Sequence, residues 1–322
     1  MLASRPRLIL LMFGLLAAVL GFLPAILNTF SINMTQSLNW LGDGFLLLSI
    51  ICCWNFFNGS PGTIDPGYTT YSGVSAYITA IALTQSGLPF VSCIGIGIIG
   101  SIVYSLIIGR LILRLKGIYF SIAALAVLIG TRSLIIAFRS ITNGGIGLAV
   151  TLPYDAYRFY LVALILLMSI IITVWFIGQT PFRTILIAIR QDATLASIRG
   201  IPVMRYKQLT YSISALFMGM IGCLWIYRHP TIDPNSVFIE TENFVVISAA
   251  IIGGYDSLRG SIIGGIITYV LHTELPGEWA LIASATLLIA FVRYRRGGII
   301  SLWKPSQHQF DWFKQYAGSS HG

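Results

Sequence analysis

Apolar residues run along the chain in blocks separated by short polar stretches. The blocks cover 8–27, 38–58, 70–86, 88–112, 117–137, 157–178, 211–227, 243–253, 260–273 and 279–293. Most match the ~17–25 residues a helix needs to cross hydrocarbon, so they predict membrane-spanning helices. The pieces at 243–253 and 260–273 are shorter and flank Gly-Gly-Tyr-Asp-Ser-Leu-Arg-Gly at 253–260. They read as half-helices or as spans that continue into the loop. The pattern predicts an all-α polytopic membrane protein with 8–10 transmembrane helices, short or broken ones included. These form one transmembrane domain over 1–300, followed by a basic, aromatic tail at 301–322 that is too short to fold alone.

Composition agrees. The chain is 56% hydrophobic and 10% charged, with a mean hydropathy of +0.82; a soluble domain carries about 25% charged residues. The 32 glycines and 12 prolines suit closely packed membrane helices. Cys52, Cys53, Cys93 and Cys223 lie in apolar runs without metal-ligand spacing and read as small buried hydrophobes. The first apolar block is longer than the 7–15 residues of a signal-peptide core, so it is expected to be a retained first helix.

A net charge of +9 could suggest nucleic acid, but excess Lys and Arg in an oily chain mark cytoplasmic loops, and no nucleic-acid partner is expected. With the N-terminus inside and ten crossings, sixteen of the 20 Lys and Arg fall on the cytoplasmic side. Arg132, Arg139, Arg158 and Arg228 fall outside, with Asp155, Asp233, Glu240, Glu242, Glu274 and Glu278. This sorting predicts a multi-pass protein with both termini in the cytoplasm.

The longest polar segment, 179–210, is then a cytoplasmic loop. Thr180-Pro181 starts a helix, on which Ile185, Ile189, Ala193, Ala196 and Gly200 recur along one small, apolar face. Gly200 permits a left-handed end, and Pro202 disfavours helix at Ile201. Two readings stand: a helix lying on lipid headgroups, or a docking helix for a cytoplasmic partner.

The stretch Ala-Ile-Arg-Gln-Asp-Ala-Thr-Leu-Ala-Ser-Ile-Arg-Gly-Ile at 188–201 resembles the coupling loop of ABC-transporter permeases of the branched-chain amino acid family, M-type subunit. Ala188, Ile189, Arg190, Asp192, Ala196, Gly200 and Ile201 match its pattern. Three further segments resemble that family in the same order: 58–80 through Gly59, Gly62, Gly67, Gly73 and Tyr77; 116–126 with 141–148; and 245–267 through Gly253, Gly254, Ser257 and Gly260. Gln191, the Ile-Asp-Pro-Gly-Tyr-Thr-Thr-Tyr run at 64–71 and the Arg-Tyr-Arg-Arg-Gly-Gly end at 293–298 depart from it.

The resemblance implies a single permease domain over 1–300 in the plasma (inner) membrane, with coupling residues Arg190, Asp192, Ala193, Ala196 and Gly200. It implies a translocation path for branched-chain or related amino acids. Gly59, Gly62, Gly67, Gly73, Thr142, Gly144, Gly145, Gly253 and Gly254 are the candidate path residues. The implied partners are cytoplasmic ABC ATPase subunits, a second homologous permease, an extracytoplasmic solute-binding protein and membrane lipid. Urea, short amides or another small polar solute is the alternative cargo.

The residues themselves limit the chemistry. No Gly-x-x-x-x-Gly-Lys-Ser/Thr phosphate loop occurs, so ATP-Mg belongs on the partner ATPase and no cofactor is expected on this chain. His229, His272, His308 and His321 are scattered, and Ser257 has no base or acid pattern around it, so an enzyme is not expected. An ion-coupled secondary carrier needs an intramembrane ionisable relay, for which Asp43 is the one acid placed deep in a long apolar block. Asp43 is either functional or a hydrogen-bonded structural group. Arg132 and Arg139, seven apart, either face an anion or mark the outer end of a span.

Overall fold

The computed structural model describes residues 33–302 apart from 256, 276, 295 and 296. The expected first helix at 8–27 and the tail beyond Leu302 lie outside the described residues. The helices are α1 (Met34–Gly59), α2 (Thr70–Ser86), α3 (Phe90–Ile112), α4 (Ile118–Ala137), the single turn α5 (Arg139–Thr142), α6 (Ala156–Gly178), α7 (Pro181–Gln191), α8 (Ala193–Ile198), α9 (Val203–Arg228), α10 (Pro234–Val237), α11 (Glu240–Gly253), α12 (Leu258–Glu274) and α13 (Glu278–Tyr294). Two-residue strands β1 (Leu148–Ala149) and β2 (Thr231–Ile232) pair antiparallel, with Leu148 opposite Ile232. They are a small exception to the expected all-α architecture.

Among the described residues, six segments are long and apolar enough to cross a membrane: α1, α3, α4, α6, α9 and the run Pro234–Gly253. Helices α2, α12 and α13 have 17 residues each, or about 25 Å, at the lower limit of a span. The block at 211–227 begins eight residues earlier than hydropathy indicates, because α9 starts at Val203. Its first turns, with Arg205, Lys207 and Gln208, carry helix geometry into the polar zone.

Helix α3 shows how the bundle is held. Its buried residues Cys93, Gly97, Ser101, Ser105, Gly109 and Ile112 form one stripe, while Val91, Ile99, Ile107 and Leu111 are exposed on the other faces. The exposed apolar side is a lipid surface. The small stripe admits its neighbours to backbone distance. A Cβ on Gly97 would lie 2.1 Å from Thr79 Oγ1, and one on Gly109 would lie 2.7 Å from the amide of Gln208. Ser101 Oγ donates to Tyr71 O and Ala215 O, so α2, α3 and α9 share one polar seam. Helix α1 is buried along most of its length between α6, α9, α11 and α12. All four cysteines are buried and free, as hydrophobes in the core would be.

Candidate functional site

The 179–210 loop folds as a two-part knob. Thr180 takes the N-cap position with Pro181 in the first turn, although its hydroxyl donates back to Ile177 O instead of capping. Helix α7 buries Leu186 and Ile189 and stops at Asp192. There the backbone turns extended, and the Asp192 carboxylate accepts from Thr194 N–H (2.8 Å) and Leu195 N–H (3.0 Å). That is an N-cap for a second helix. The single continuous face expected through Ile185, Ile189, Ala193, Ala196 and Gly200 is therefore divided between α7 and α8. A carboxylate at 192 stabilises a new start more than it stabilises continuation.

Gly200 closes α8 with φ +84°. Its N–H donates to Ser197 O and that of Ile201 donates to Ala196 O, which together make a Schellman end. Nothing lies within 4 Å of a Cβ built on Gly200, so backbone conformation, not crowding, requires glycine there. Ala196 is buried and Ala193 half-buried against the chain's own body. The outward face carries Leu195 (47% exposed), Ile198 (77% exposed) and the exposed Arg199. The small face thus packs inward and the larger apolar residues point away, the reverse of the expected arrangement. Leu195 and Ile198 were legible only as spacers between the alanines.

Arg190 joins three segments that the sequence keeps apart. Its Nη1 donates to Gly59 O at 2.9 Å, and its guanidinium lies 5.5 Å from the centre of the Tyr255 ring. Its stem crosses Gly62, where a Cβ would come within 2.7 Å of Arg190 Cγ and where φ is +75°. The Tyr255 hydroxyl donates to Asn58 O. The knob, the C-terminal end of α1 and the 253–257 turn therefore meet at one guanidinium.

The 253–257 turn is a tight helical hairpin. A Cβ on Gly253 would lie 1.8 Å from Gly260 O, and one on Gly264 would lie 2.1 Å from Ala249 O. Gly254 has φ +128°. Ser257 caps α12 by accepting from Gly260 N–H at 3.3 Å, a structural role for the hydroxyl. The two expected short segments are thus full helices locked backbone to backbone.

The early glycine segment folds inward around a carboxylate. Asp65 is buried; its Oδ1 accepts from Gly67 N–H at 2.9 Å and its Oδ2 from the Tyr211 hydroxyl at 3.2 Å. Its backbone N–H donates to Asn58 Oδ1, and its carbonyl accepts from Trp54 Nε1. The hydroxyls of Tyr71 and Tyr211 also meet. Asp65 corrects the expectation that Asp43 is the one deep acid; hydropathy hid it because it sits between blocks. A Cβ on Gly67 would lie 2.2 Å from Ala124 O, and one on Gly73 would lie 2.5 Å from the Phe238 ring. These glycines let the loop and α2 approach α4 and the 234–239 segment. The segment is held to α11 at Thr69, whose N–H donates to Asn243 Oδ1 and whose Oγ1 accepts from Asn243 Nδ2.

Towards the N-terminal end of α1, Asp43 pairs with Arg228 at 3.4 Å in a broad opening of about 470 Å³ also lined by Asn39 and Trp40. Arg132 pairs with Glu240 at 3.1 Å. Helix α4 ends at Ala137, so Arg132 and Arg139 do not share a helical face. Thr142 is buried and donates to Ile135 O and Phe138 O. Asn143 and Gly144 follow with positive φ, and Gly145 stands in open space. Burial raises the Asp233 carboxyl, but the hydrogen bonds from Ser236 and Asn235 together outweigh this and hold it below the usual range. No group of His, Cys, Asp and Glu among the described residues could hold a metal ion.

The chain is 24% identical over 284 residues to the high-affinity branched-chain amino acid transport system permease protein LivM of Escherichia coli K12, covering 78% of this chain and 67% of the relative. The LivM of Salmonella typhimurium gives the same figures. LivH of Salmonella typhimurium is 30% identical over 117 residues, 35% of this chain and 37% of that one. No solved structure matches. The family described as branched-chain amino acid transport system / permease component matches residues 36–292. That range takes in every described spanning helix but the last two residues of α13 and the first two of α1, and the chain is accordingly a member of this permease family, a multi-pass membrane transport component and not an enzyme.

Proposed function

We propose that the chain is a permease subunit of an ATP-binding-cassette importer of branched-chain or related amino acids in the plasma (inner) membrane, with both termini cytoplasmic. A cytoplasmic ATPase carrying ATP-Mg seats α7–α8. A second homologous permease completes the path, and an extracytoplasmic binding protein delivers cargo. The observation that carries this reading is the knob itself: Leu195 and Ile198 stand exposed on a capped, rigid helix, tied by Arg190 to the transmembrane body. Two exposed apolar side chains beside Arg199 are the right chemistry for an anchor in a protein groove. The relatives' names support the cargo class.

Coupling then works by leverage. Displacement of α7–α8 by the ATPase reaches Gly59 and Tyr255 through one charge-assisted hydrogen bond and one cation–π contact. Replacing Ile198 with Asp places a charge in the docked groove while leaving α8 capped at both ends. ATPase co-purification and ATP-driven uptake should both be lost, with the permease still in the membrane at normal level. Undiminished uptake by I198D would end the docking reading.

A further inference from the structure

One acidic side chain that borders a cleft has no structural duty. Glu242, in the first turn of α11, makes no hydrogen bond or ion pair with any described residue, whereas Asp65, Asp192, Asp233 and Glu240 all do. Its side chain is exposed, yet protein surrounds it on most sides. Both hold only for a group in an indentation. That indentation is a cleft of about 40 Å³ lined by Thr69, Ser72, Gly222, Trp225, Ser236 and Glu242, drawn from four separate segments.

The cleft lies at mid-depth. Arg228–Asp43 marks the outer level of α1 and Arg190–Gly59 the inner level. Ile50, which also borders the cleft, is seven residues from Asp43 and nine from Gly59, or about 10 Å and about 13 Å along the helix. Gly222 sits six residues inside Arg228 on α9, about 9 Å down, which agrees. A carboxylate at this depth is costly unless it meets water or a cation.

Of the hydroxyls that share the cleft, those of Ser72 and Ser236 are already committed as donors to the protein. Ser72 Oγ donates to Thr69 O and Ser236 Oγ to Asp233 O, while Thr69 Oγ1 accepts from Asn243. What the two serines offer the cleft is lone pairs. A carboxylate and hydroxyl acceptors beside the Trp225 ring suit a group that has several donors and no acceptor, which describes an alkylammonium head. The volume holds about two or three water-sized groups, room for that head but not for a whole amino acid.

We propose that Glu242 is the cation-recognising residue of the transport path and holds the ammonium group of the cargo. This rests on the amino acid reading of the preceding section and adds which end of the cargo this chain grips. Glu242 makes no internal bond, so Glu242→Gln should fold. In proteoliposomes holding the complete transporter, with binding protein and ATP, E242Q should lower leucine uptake at subsaturating concentration at least tenfold, and Glu242→Asp should restore part of it. As a second readout, Ser236→Cys should be labelled by a water-soluble, cationic thiol reagent, the four native cysteines being buried. Leucine should slow that labelling in the Glu242 background and not in E242Q, and its deaminated carboxylic acid should slow neither. Equal leucine uptake by wild type and E242Q, or equal protection in both backgrounds, would overturn the site while leaving the importer reading intact. A wild-type transporter that moves only amine-free solutes would remove the reading and the site together.

Discussion

Arg190 is the testable hinge of this architecture, because its two partners come from opposite sides of the sequence. Arg190→Ala removes a charge-assisted bond to Gly59 O, of a kind worth about 1.5–3 kcal/mol, and a cation–π contact with Tyr255 worth about 0.5–2 kcal/mol. The side chain is half-buried, so the lower ends apply and the expected loss is about 2–3 kcal/mol. The cation–π part is separable. Tyr255→Leu removes the ring, whereas Tyr255→Phe keeps the ring and deletes only the hydroxyl bond to Asn58 O. A double-mutant cycle of R190A with Y255L should give a coupling energy of about 0.5–1 kcal/mol, and R190A should cost the same in the Y255F background as in wild type. The assay is reversible unfolding of the purified protein in mixed micelles, followed by tryptophan fluorescence as detergent denaturant is raised. If R190A and Y255L add within about 0.3–0.5 kcal/mol, the two side chains act independently and the clamp does not exist.

Two further substitutions test the packing that positions the clamp and the inward loop. Gly253→Ala puts a methyl 1.8 Å from Gly260 O, so α11 and α12 must part by about 1.5 Å to reach ordinary contact; overpacking of this kind costs about 1–3 kcal/mol. The variant should show a lowered melting temperature by fluorescence-detected size exclusion, with Gly145→Ala, which meets nothing, as the neutral control. Asp65→Ala leaves the buried Gly67 N–H without its acceptor, at about 1–3 kcal/mol, whereas Asp65→Asn keeps an oxygen there and should be milder in the same assay. Equal stability of the two Asp65 variants would show that the loop does not depend on that bond.

The spans were legible because a helix in lipid must be apolar on nearly every face, and 70–86 and 157–178 fall within a residue of α2 and α6. The knob was legible as a loop, with its Pro start and Gly end, but not as two helices. The break depends on whether Asp192 bonds forward to Thr194 and Leu195, and helical spacing of apolar residues is blind to that. Asp65 and Glu242 were missed for a shared reason. Both lie near the boundary of an apolar block, and hydropathy assigns boundaries to the membrane surface. The chain instead turns inward at both places, and only tertiary contacts such as Thr69–Asn243 reveal it. The glycine motifs were read as path residues, and their distances give them packing duties: Gly62, Gly67, Gly73 and Gly253 each face a neighbour that a methyl group would strike.

These duties combine on one short helix. At its C-terminal end α11 is held against α12 by Gly253 and Gly260, and reaches Arg190 through Tyr255 in the adjoining turn. At its other end Asn243 grips Thr69 while the neighbouring Glu242 faces the cleft. The helix has 14 residues and so spans about 20 Å. Sliding of α11 along α12 is blocked, because the Gly253–Gly260 and Gly264–Ala249 approaches have no slack for a carbonyl to pass. Any push on the hairpin at Tyr255 must therefore move α11 and α12 as one body, and a rigid body cannot move at Tyr255 without moving Glu242. The close glycine contacts thus give the hairpin the stiffness that a link between the knob and a mid-membrane carboxylate requires.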